Sequence, residues 1–470
     1  MTIGTTGDID DFNPQTNQTL VFLNTLTFNC YECLMHYDEN MDFAMDLATE
    51  YEMVDDTTYV FKLREGVKFH NGEDFTAEDV VYTMNYIQDE NNAAWRAPQY
   101  TALDSVTADN EYQVTFKLSV PNPAFLGSIA YTPILCKSAD PASLSITPVG
   151  TGAFKFVSWT PNDNITLEKF ADYWDADKIA VDKIMIKPFS DYSVAITNME
   201  AGTLDLLCGI SVEYSQVIEG KTGLKVIQSK ASNKIEEVEI GIHNVEAFQD
   251  PNVLKAMVMA FDANLLNEQV YNGLGKVATS CFPSGAKYYK DVYDAPFDIE
   301  AAKELLATTA YKDGFSFDMY ILSGEADEEK AAMIWQANLS QLGIQMNIQK
   351  CEFSVWLDAY LNRTYGMIIN NYPMVGTDPS TYCGIILEQL VDYQTSHLPE
   401  LNQLIADGKS ETDDAKRAEI YEKIQTIVSE NYPVFTYMEV PQLTGAMDRV
   451  NGVELNNMGH MFLKNVTLSN

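Results

Sequence analysis

The stretch Tyr59-Val-Phe-Lys-Leu-Arg-Glu-Gly-Val-Lys-Phe-His-Asn-Gly-Glu-Asp-Phe-Thr-Ala-Glu-Asp-Val80 is the most informative in the chain. Residues 58–63 alternate apolar and polar, as a half-buried strand does. Phe69-His70-Asn71-Gly72 reads as a turn. Thr76-Ala77-Glu78-Asp79 has the form of a capping box, in which the carboxylate three residues on reaches back to the cap. Val80, Val81, Met84 and Ile87 then recur at three- and four-residue steps, which predicts a helix. Strand, turn, cap and helix follow one another within thirty residues, the order expected of a mixed α/β fold.

The same grammar extends in both directions. Toward the N-terminus, Met1 to Thr5 reads as a strand, Asp11-Phe12-Asn13-Pro14 as a turn, and Leu20, Phe22, Leu26 and Tyr31 as one helix. Toward the C-terminus, Val114, Phe116 and Leu118 lie on one face of a strand over 111–118. Pro148-Val149-Gly150-Thr151-Gly152 is a tight turn before strands at 153–159, 164–170 and 183–188. A helix over 190–201 ends at Gly202. Strand 235–242 precedes a helix through Val253, Met257 and Phe261, with Pro251 at a first-turn position. Helices are expected at 298–306, 327–342, 353–361 and 417–429, with strands at 344–348 and 366–370. Gly and Pro are spread evenly and no tandem repeat occurs, so the lobes interleave along the chain.

The chain has 470 residues, enough for two or three lobes at roughly 100–200 residues per domain. Its 30 Lys and Arg stand against 68 Asp and Glu, a net charge of −38. Such a chain is repelled by phosphate backbones and anionic lipid, which argues against nucleic acid or direct membrane adhesion. Surface carboxylates give solubility, and they also attract cationic solutes. No apolar run reaches the roughly 18 residues of a spanning helix. The seven Cys are odd in number and scattered, and Cys30-Tyr31-Glu32-Cys33 sits among apolar residues, which reads as a structural pair of half-buried positions.

Catalytic and metal signatures do not appear. There is no Gly-x-Ser-x-Gly elbow, no P-loop and no pair of His at helical spacing among His36, His70, His243, His397 and His460. Gly273-Leu274-Gly275 follows a helix and not a strand, so it is no dinucleotide fingerprint. Close acids such as Asp8/Asp10/Asp11 and Glu236/Glu237/Glu239 are expected by chance among 68 carboxylates. No catalytic residue, metal or cofactor is assigned. The 11% aromatic content suits a cleft that buries a small ligand.

In this setting the chain resembles family 5 of the extracellular solute-binding proteins, the peptide- and nickel-binding components of ABC importers. The resemblance rests on the 59–80 stretch, almost residue for residue. Asp11-Phe12-Asn13-Pro14 follows the first strand, and Tyr31-Glu32-Cys33-Leu34 stands where the family has (Tyr/Phe)-Glu-Gly-Leu. Pro148 to Gly152, Asn198-Met-Glu-Ala-Gly-Thr-Leu-Asp205 and Asp250-Pro-Asn-Val-Leu-Lys-Ala256 also match. So do Tyr293-Asp294 leading to Asp298–Leu306, and Gln341-Leu-Gly-Ile344.

The resemblance implies a bilobal, periplasmic-binding-protein-like α/β fold of class II with a hinge and an extra inserted domain. Lobe I would combine 1–35, 148–231 and 441–470, the inserted domain 36–147, and lobe II 232–440. It implies a non-enzymatic protein outside the cytoplasmic membrane, at the cell surface or in the periplasm. It would be anchored through a removed lipoprotein signal and act as a monomer. It would trap a ligand, an oligopeptide first of all, between the lobes and deliver it to ABC permease subunits. A sugar, opine-like compound or metal chelate is the alternative.

Asn24 and Phe28 would contribute to the ligand site from lobe I, and Phe353, Trp356 and Tyr372 would wall side-chain pockets in lobe II. Peptide binders of the family hold the ligand's α-amino group with an Asp in Trp-x-x-Asp-x-x-(Asp/Glu)-Pro. Here the run is Tyr372-Pro373-Met374-Val375-Gly376-Thr377-Asp378-Pro379, so Val375 takes that place and Asp378 is the nearest carboxylate, with Met374 and Thr377 flanking. The Arg that dipeptide binders offer to the ligand carboxylate is absent from Tyr320-Ile-Leu-Ser-Gly-Glu-Ala-Asp327.

Overall fold

The computed structural model describes residues 1–230, 234–374, 376–388 and 398–469. The chain forms two compact units, Met1–Ala231 with Gln442–Asn470, and Ser232–Pro441.

The first unit is built on a seven-stranded sheet. Its order is Leu224–Gln228, Leu443–Met447, Leu206–Cys208, Thr2–Thr5, Lys183–Pro188, Asn164–Lys169 and Phe154–Thr160. The N-terminal strand pairs in parallel with both neighbours. The strand from the chain's last thirty residues lies inside the sheet, antiparallel to both of its neighbours. Ile3, Phe12, Phe22, Leu167, Ile184 and Leu206 are buried together in its core.

A separate antiparallel sheet in the same unit runs Ala48–Asp55, Thr58–Leu63, Gln113–Leu118, Leu103–Asn110. The period-2 reading of 58–63 holds: Tyr59, Phe61 and Leu63 are buried on one face. The helix Ala77–Gln88 begins at the expected capping box, with the Thr76 N–H donating to Asp79 Oδ2 at 2.9 Å. Its Val80, Met84 and Ile87 are buried.

The turn at His70 docks onto the Pro148–Gly152 turn. The His70 N–H donates to the Gly150 carbonyl at 2.8 Å, and His70 Nε2 lies 2.9 Å from the Gly152 carbonyl. Burial pushes the His70 pKa down to about 4, so the ring is neutral there. The two glycines are required by closeness. A Cβ on Gly150 would stand 2.0 Å from the Cys30 carbonyl oxygen, and one on Gly152 would stand 2.5 Å from that of Asn29.

The helix expected to run from Leu20 through Tyr31 is shorter, ending at Thr25. Side chains compete with its backbone beyond that point. Asn29 Nδ2 donates to the Thr25 carbonyl at 2.9 Å and to the Met461 carbonyl at 2.7 Å, which ties the segment to the C-terminal strands instead.

The second unit carries a six-stranded mixed sheet. Its order is Lys276–Val277, Val434–Val440, Lys234–Ile240, Met367–Pro373, Ser316–Leu322 and Gln345–Cys351. Helices follow the expected order: Pro251–Met259, Ile299–Leu306, Ala326–Ser340, Phe353–Asn362 and Asp414–Asn431. Asp250 caps the first of these, with Pro251 at its first turn, and Phe261 lies past its end. Gly343, at φ +77°, turns the chain from the helix Ala326–Ser340 into the strand Gln345–Cys351. Among the described residues, no helix is long and apolar enough to cross a membrane.

Candidate functional site

In the first unit, Asn24 follows the buried Phe22 on the short helix and is half-buried. Its Oδ1 is enclosed without a hydrogen-bond partner. Phe28 is buried in an aromatic cluster, its ring centroid 5.1 Å from Phe462, 5.3 Å from His460 and 6.0 Å from Tyr131. The Tyr131 hydroxyl lies 2.8 Å from His460 Nδ1. Burial, and then the charge of Arg96, hold His460 well below the ordinary histidine range, at about 3. Asn457, on the same C-terminal segment, is buried with both amide atoms unpaired.

Beside this cluster, Glu32 accepts from the Tyr173 hydroxyl at 2.8 Å and Trp174 Nε1 at 3.0 Å. Burial and the charge of Asp46 raise its pKa. Asp46 pairs with His36 at 2.6 Å. Its burial is outweighed by His36, Lys464 and Arg64, which hold Asp46 below its ordinary value. Cys30 and Cys33 are fully buried, and burial pushes the Cys30 thiol up to about 12.

In the second unit, the helix Phe353–Asn362 places a stack of three rings on one face, at the i, i+3, i+7 steps of an α-helix. Phe353 and Trp356 are nearly parallel at 6.2 Å, and Trp356 and Tyr360 at 5.2 Å. Phe353 is 62% exposed, so the stack ends in solvent, whereas Trp356 is anchored by Nε1 donating to the Ile369 carbonyl at 3.2 Å. Tyr372, on the strand that carries Ile369, is half-buried and meets Tyr382 edge-on at 5.7 Å. Phe353 and Trp356 thus share one ladder with Tyr360, which the sequence reading missed although it stands at helical spacing, while Tyr372 packs in the neighbouring core with Tyr382.

Met374, Thr377 and Asp378 each have partners inside the second unit. Met374 is fully buried in the core with Tyr382 and Leu401. The Thr377 carbonyl accepts from the Lys287 N–H at 2.8 Å. Val375 lies outside the described residues. Asp378 is held by both arms of Arg417, at 2.5 and 2.8 Å, and caps the helix Pro379–Tyr382 through the Ser380 N–H at 3.0 Å. Burial works to raise the Asp378 pKa, but the Arg417 contacts outweigh it and hold the carboxylate below its ordinary range. Both oxygens are thus committed to an internal pair, and the carboxylate expected nearest a ligand ammonium is already neutralised by a guanidinium.

Sequence reasoning also passed over the acids of Lys234–Ile240. Glu236, Glu237 and Glu239 are all buried, at 1%, 0% and 0% exposure. Their strand is interior to the sheet, between Met367–Pro373 and Val434–Val440, and every residue from Ile235 to Ile240 is buried, so both of its faces are covered. Glu239 accepts from Asn370 Nδ2 at 3.0 Å, the Tyr365 hydroxyl at 3.1 Å and Arg363 at 3.1 Å. Glu237 accepts from the Tyr382 hydroxyl at 2.7 Å, while its Oε1 has no partner. Burial, and for Glu237 the charge of Glu239, raise both pKa values. The available signal was Ile235, Val238 and Ile240 interleaved with these acids on a predicted strand.

The fold and the family agree. Residues 42–390 match the model of the bacterial extracellular solute-binding proteins, family 5. The chain belongs to this family. It is 27% identical over 451 residues to the oligopeptide-binding protein AppA of Bacillus subtilis, covering 89% of this chain and 82% of that protein. It is 27% identical over 333 residues to the glutathione-binding protein GsiB of Pectobacterium atrosepticum, covering 69% of this chain and 64% of that protein. The substrate-binding protein CtaP of Listeria monocytogenes superposes with a TM-score of 0.92 at 24% identity, over 100% of this chain and 99% of that one. A dipeptide-binding protein of Pseudoalteromonas in complex with Met-Leu superposes at 0.80 with 20% identity, over the whole of both chains. These likenesses fix a bilobal periplasmic-binding-protein fold of mixed α/β lobes.

Proposed function

We propose that the protein captures an oligopeptide outside the cytoplasmic membrane and delivers it, unchanged, to the permease subunits of an ABC importer. The observation that carries this reading is the likeness to an oligopeptide-binding protein along 89% of the chain. The ring ladder supports it, since flat aromatic walls bury peptide side chains of many shapes. Ligand contacts are assigned to Asn24, Phe28, Phe353, Trp356, Tyr372, Met374, Val375 and Thr377, with Asp378 acting through its pair with Arg417. The protein works as a monomer tethered by a lipid, residues 36–147 form an inserted domain of their own, and no ligand bond is made or broken.

The Asp378–Arg417 pair favours a second reading, in which the same fold binds a sugar, opine-like compound or metal chelate. Calorimetry of the whole chain against a mixed peptide library and a panel of those solutes separates the two. Peptide binding with ligand recovered intact is expected. One tight non-peptide with silent peptides would replace the first reading by the second, and product accumulating beyond one equivalent would make the protein an enzyme.

A further inference from the structure

The ladder on the helix Phe353–Asn362 has a fourth layer that is not a ring. Arg363 follows Tyr360 by three residues and so continues the spacing of Phe353, Trp356 and Tyr360. Its guanidinium carbon lies over the Tyr360 ring, 4.5 Å from the centroid, within the reach of a cation–π contact. The stack is open at one end and closed at the other, for Phe353 is 62% exposed and Arg363 8%.

Arg363 is held on both its backbone and its side chain. It ends the helix at φ +53°, in the left-handed region where glycine or asparagine is usual. Asn244 fixes that turn, its Nδ2 donating to the carbonyls of Arg363 and Tyr365 at 2.7 Å each. Arg363 Nη1 donates to Glu239 Oε2 at 3.1 Å and to the Tyr365 hydroxyl at 3.3 Å. The Tyr365 hydroxyl donates to the same Glu239 oxygen at 3.1 Å, and Asn370 Nδ2 donates to the other at 3.0 Å. The guanidinium is thus clamped at its edge while its face lies on Tyr360. A buried pair of this kind adds little stability over apolar residues of the same volume. What it supplies here is orientation, because a guanidinium is planar and a carboxylate at its edge sets the plane.

We infer that Arg363 and Glu239 are positioning residues, which fix the Tyr360 ring and through it the stack, so that the exposed end at Phe353 takes a flat ring of the ligand as a further layer. The ligands so favoured are peptides with an aromatic side chain. The inference rests on the peptide reading above and narrows its substrate class.

The test is calorimetry of the full chain with Ala-Phe-Ala and with the same tripeptide carrying cyclohexylalanine, which has nearly the same bulk but no flat π face. The aromatic peptide is expected to bind roughly threefold to tenfold more tightly, the scale of one ring–ring contact. Arg363→Lys keeps a charge for Glu239 but removes the plane, and Glu239→Gln keeps an acceptor but removes the charge. Both are expected to bring the affinity ratio toward one. Both should also weaken the near-ultraviolet circular dichroism of Trp356, identified as the band lost in Trp356→Phe. A merely structural pair would shift the urea midpoint and leave ratio and band as in the parent. That result overturns the inference, as does equal affinity of the parent for the two peptides, and either leaves peptide capture standing. Should neither inner variant fold, the exposed Phe353→Leu decides, since a ratio that survives it overturns the inference and a ratio of one supports it. If neither peptide binds, peptide capture fails and the band decides alone. A weakened band in Arg363→Lys, with the far-ultraviolet spectrum intact, would keep the positioning roles, and an unchanged band would remove them.

Discussion

At the scale of single residues, the second unit is unusual in what it does with carboxylates. Glu328 is buried, accepts one backbone hydrogen bond from the Leu322 N–H at 3.0 Å, and has its pKa pushed up to about 8 by burial and then by Glu236, Asp327 and Glu325. An unfolded chain would lose that proton near the ordinary value of 4.5. Between about 4.5 and 8 the folded form therefore holds a proton that the unfolded form has released, and stability falls as pH rises through that window. Glu328→Gln keeps an acceptor for Leu322 but has nothing to ionise. Urea unfolding at pH 5, 6.5 and 8 should show a shallower loss of stability in the variant than in the parent. Parallel curves would mean that Glu328 ionises normally.

These acids were the least legible part of the sequence. The aromatic ladder could be read because Phe353 and Trp356 obey helical spacing. The burial of Glu236, Glu237 and Glu239 could not be read, since it depends on what packs over the two faces of their sheet. Residue counts treated them as three acids among 68. The Asp378–Arg417 pair was hidden for a similar reason, its partners lying 39 residues apart on different helices.

At the scale of elements, the sequence spoke clearly wherever local chemistry decides the backbone. The capping box at Thr76, the proline at the head of Pro251–Met259 and the Gly343 turn all stand where their residues ask for them. The helix starting at Leu20 was overestimated because its apolar periodicity continues past Thr25, while Asn29 is claimed by Met461, 432 residues away. The Pro148–Gly152 turn was legible as a turn but not as a contact. Its glycines let three segments meet: the His70 turn, the turn itself and the backbone at Asn29 and Cys30. Gly150→Ala places a methyl against a carbonyl that cannot yield without moving a buried segment. It should cost at least about 2 kcal/mol in chemical denaturation, toward the upper end of overpacking effects. An unchanged midpoint would show that the three segments are not locked together there.

At the scale of the molecule, the two units differ in how the chain supplies them. The second is one continuous stretch with its own sheet and a core that includes Tyr382, Leu401, Tyr421 and Ile424. A fragment of residues 232–441 should therefore unfold cooperatively by itself, followed by near-ultraviolet circular dichroism in urea. A gradual, non-cooperative loss of signal would mean that this unit depends on the rest of the chain.

The first unit has no such independence. One interior lane of its sheet, between Leu206–Cys208 and the edge strand Leu224–Gln228, is filled by Leu443–Met447. A nascent chain must therefore be almost fully synthesised before this sheet can zip shut. Until then Leu206 and its neighbours wait with an empty lane beside them. The architecture builds in a delay: the half that begins first is sealed last, and loss of the final thirty residues would remove an interior stave and not a fringe.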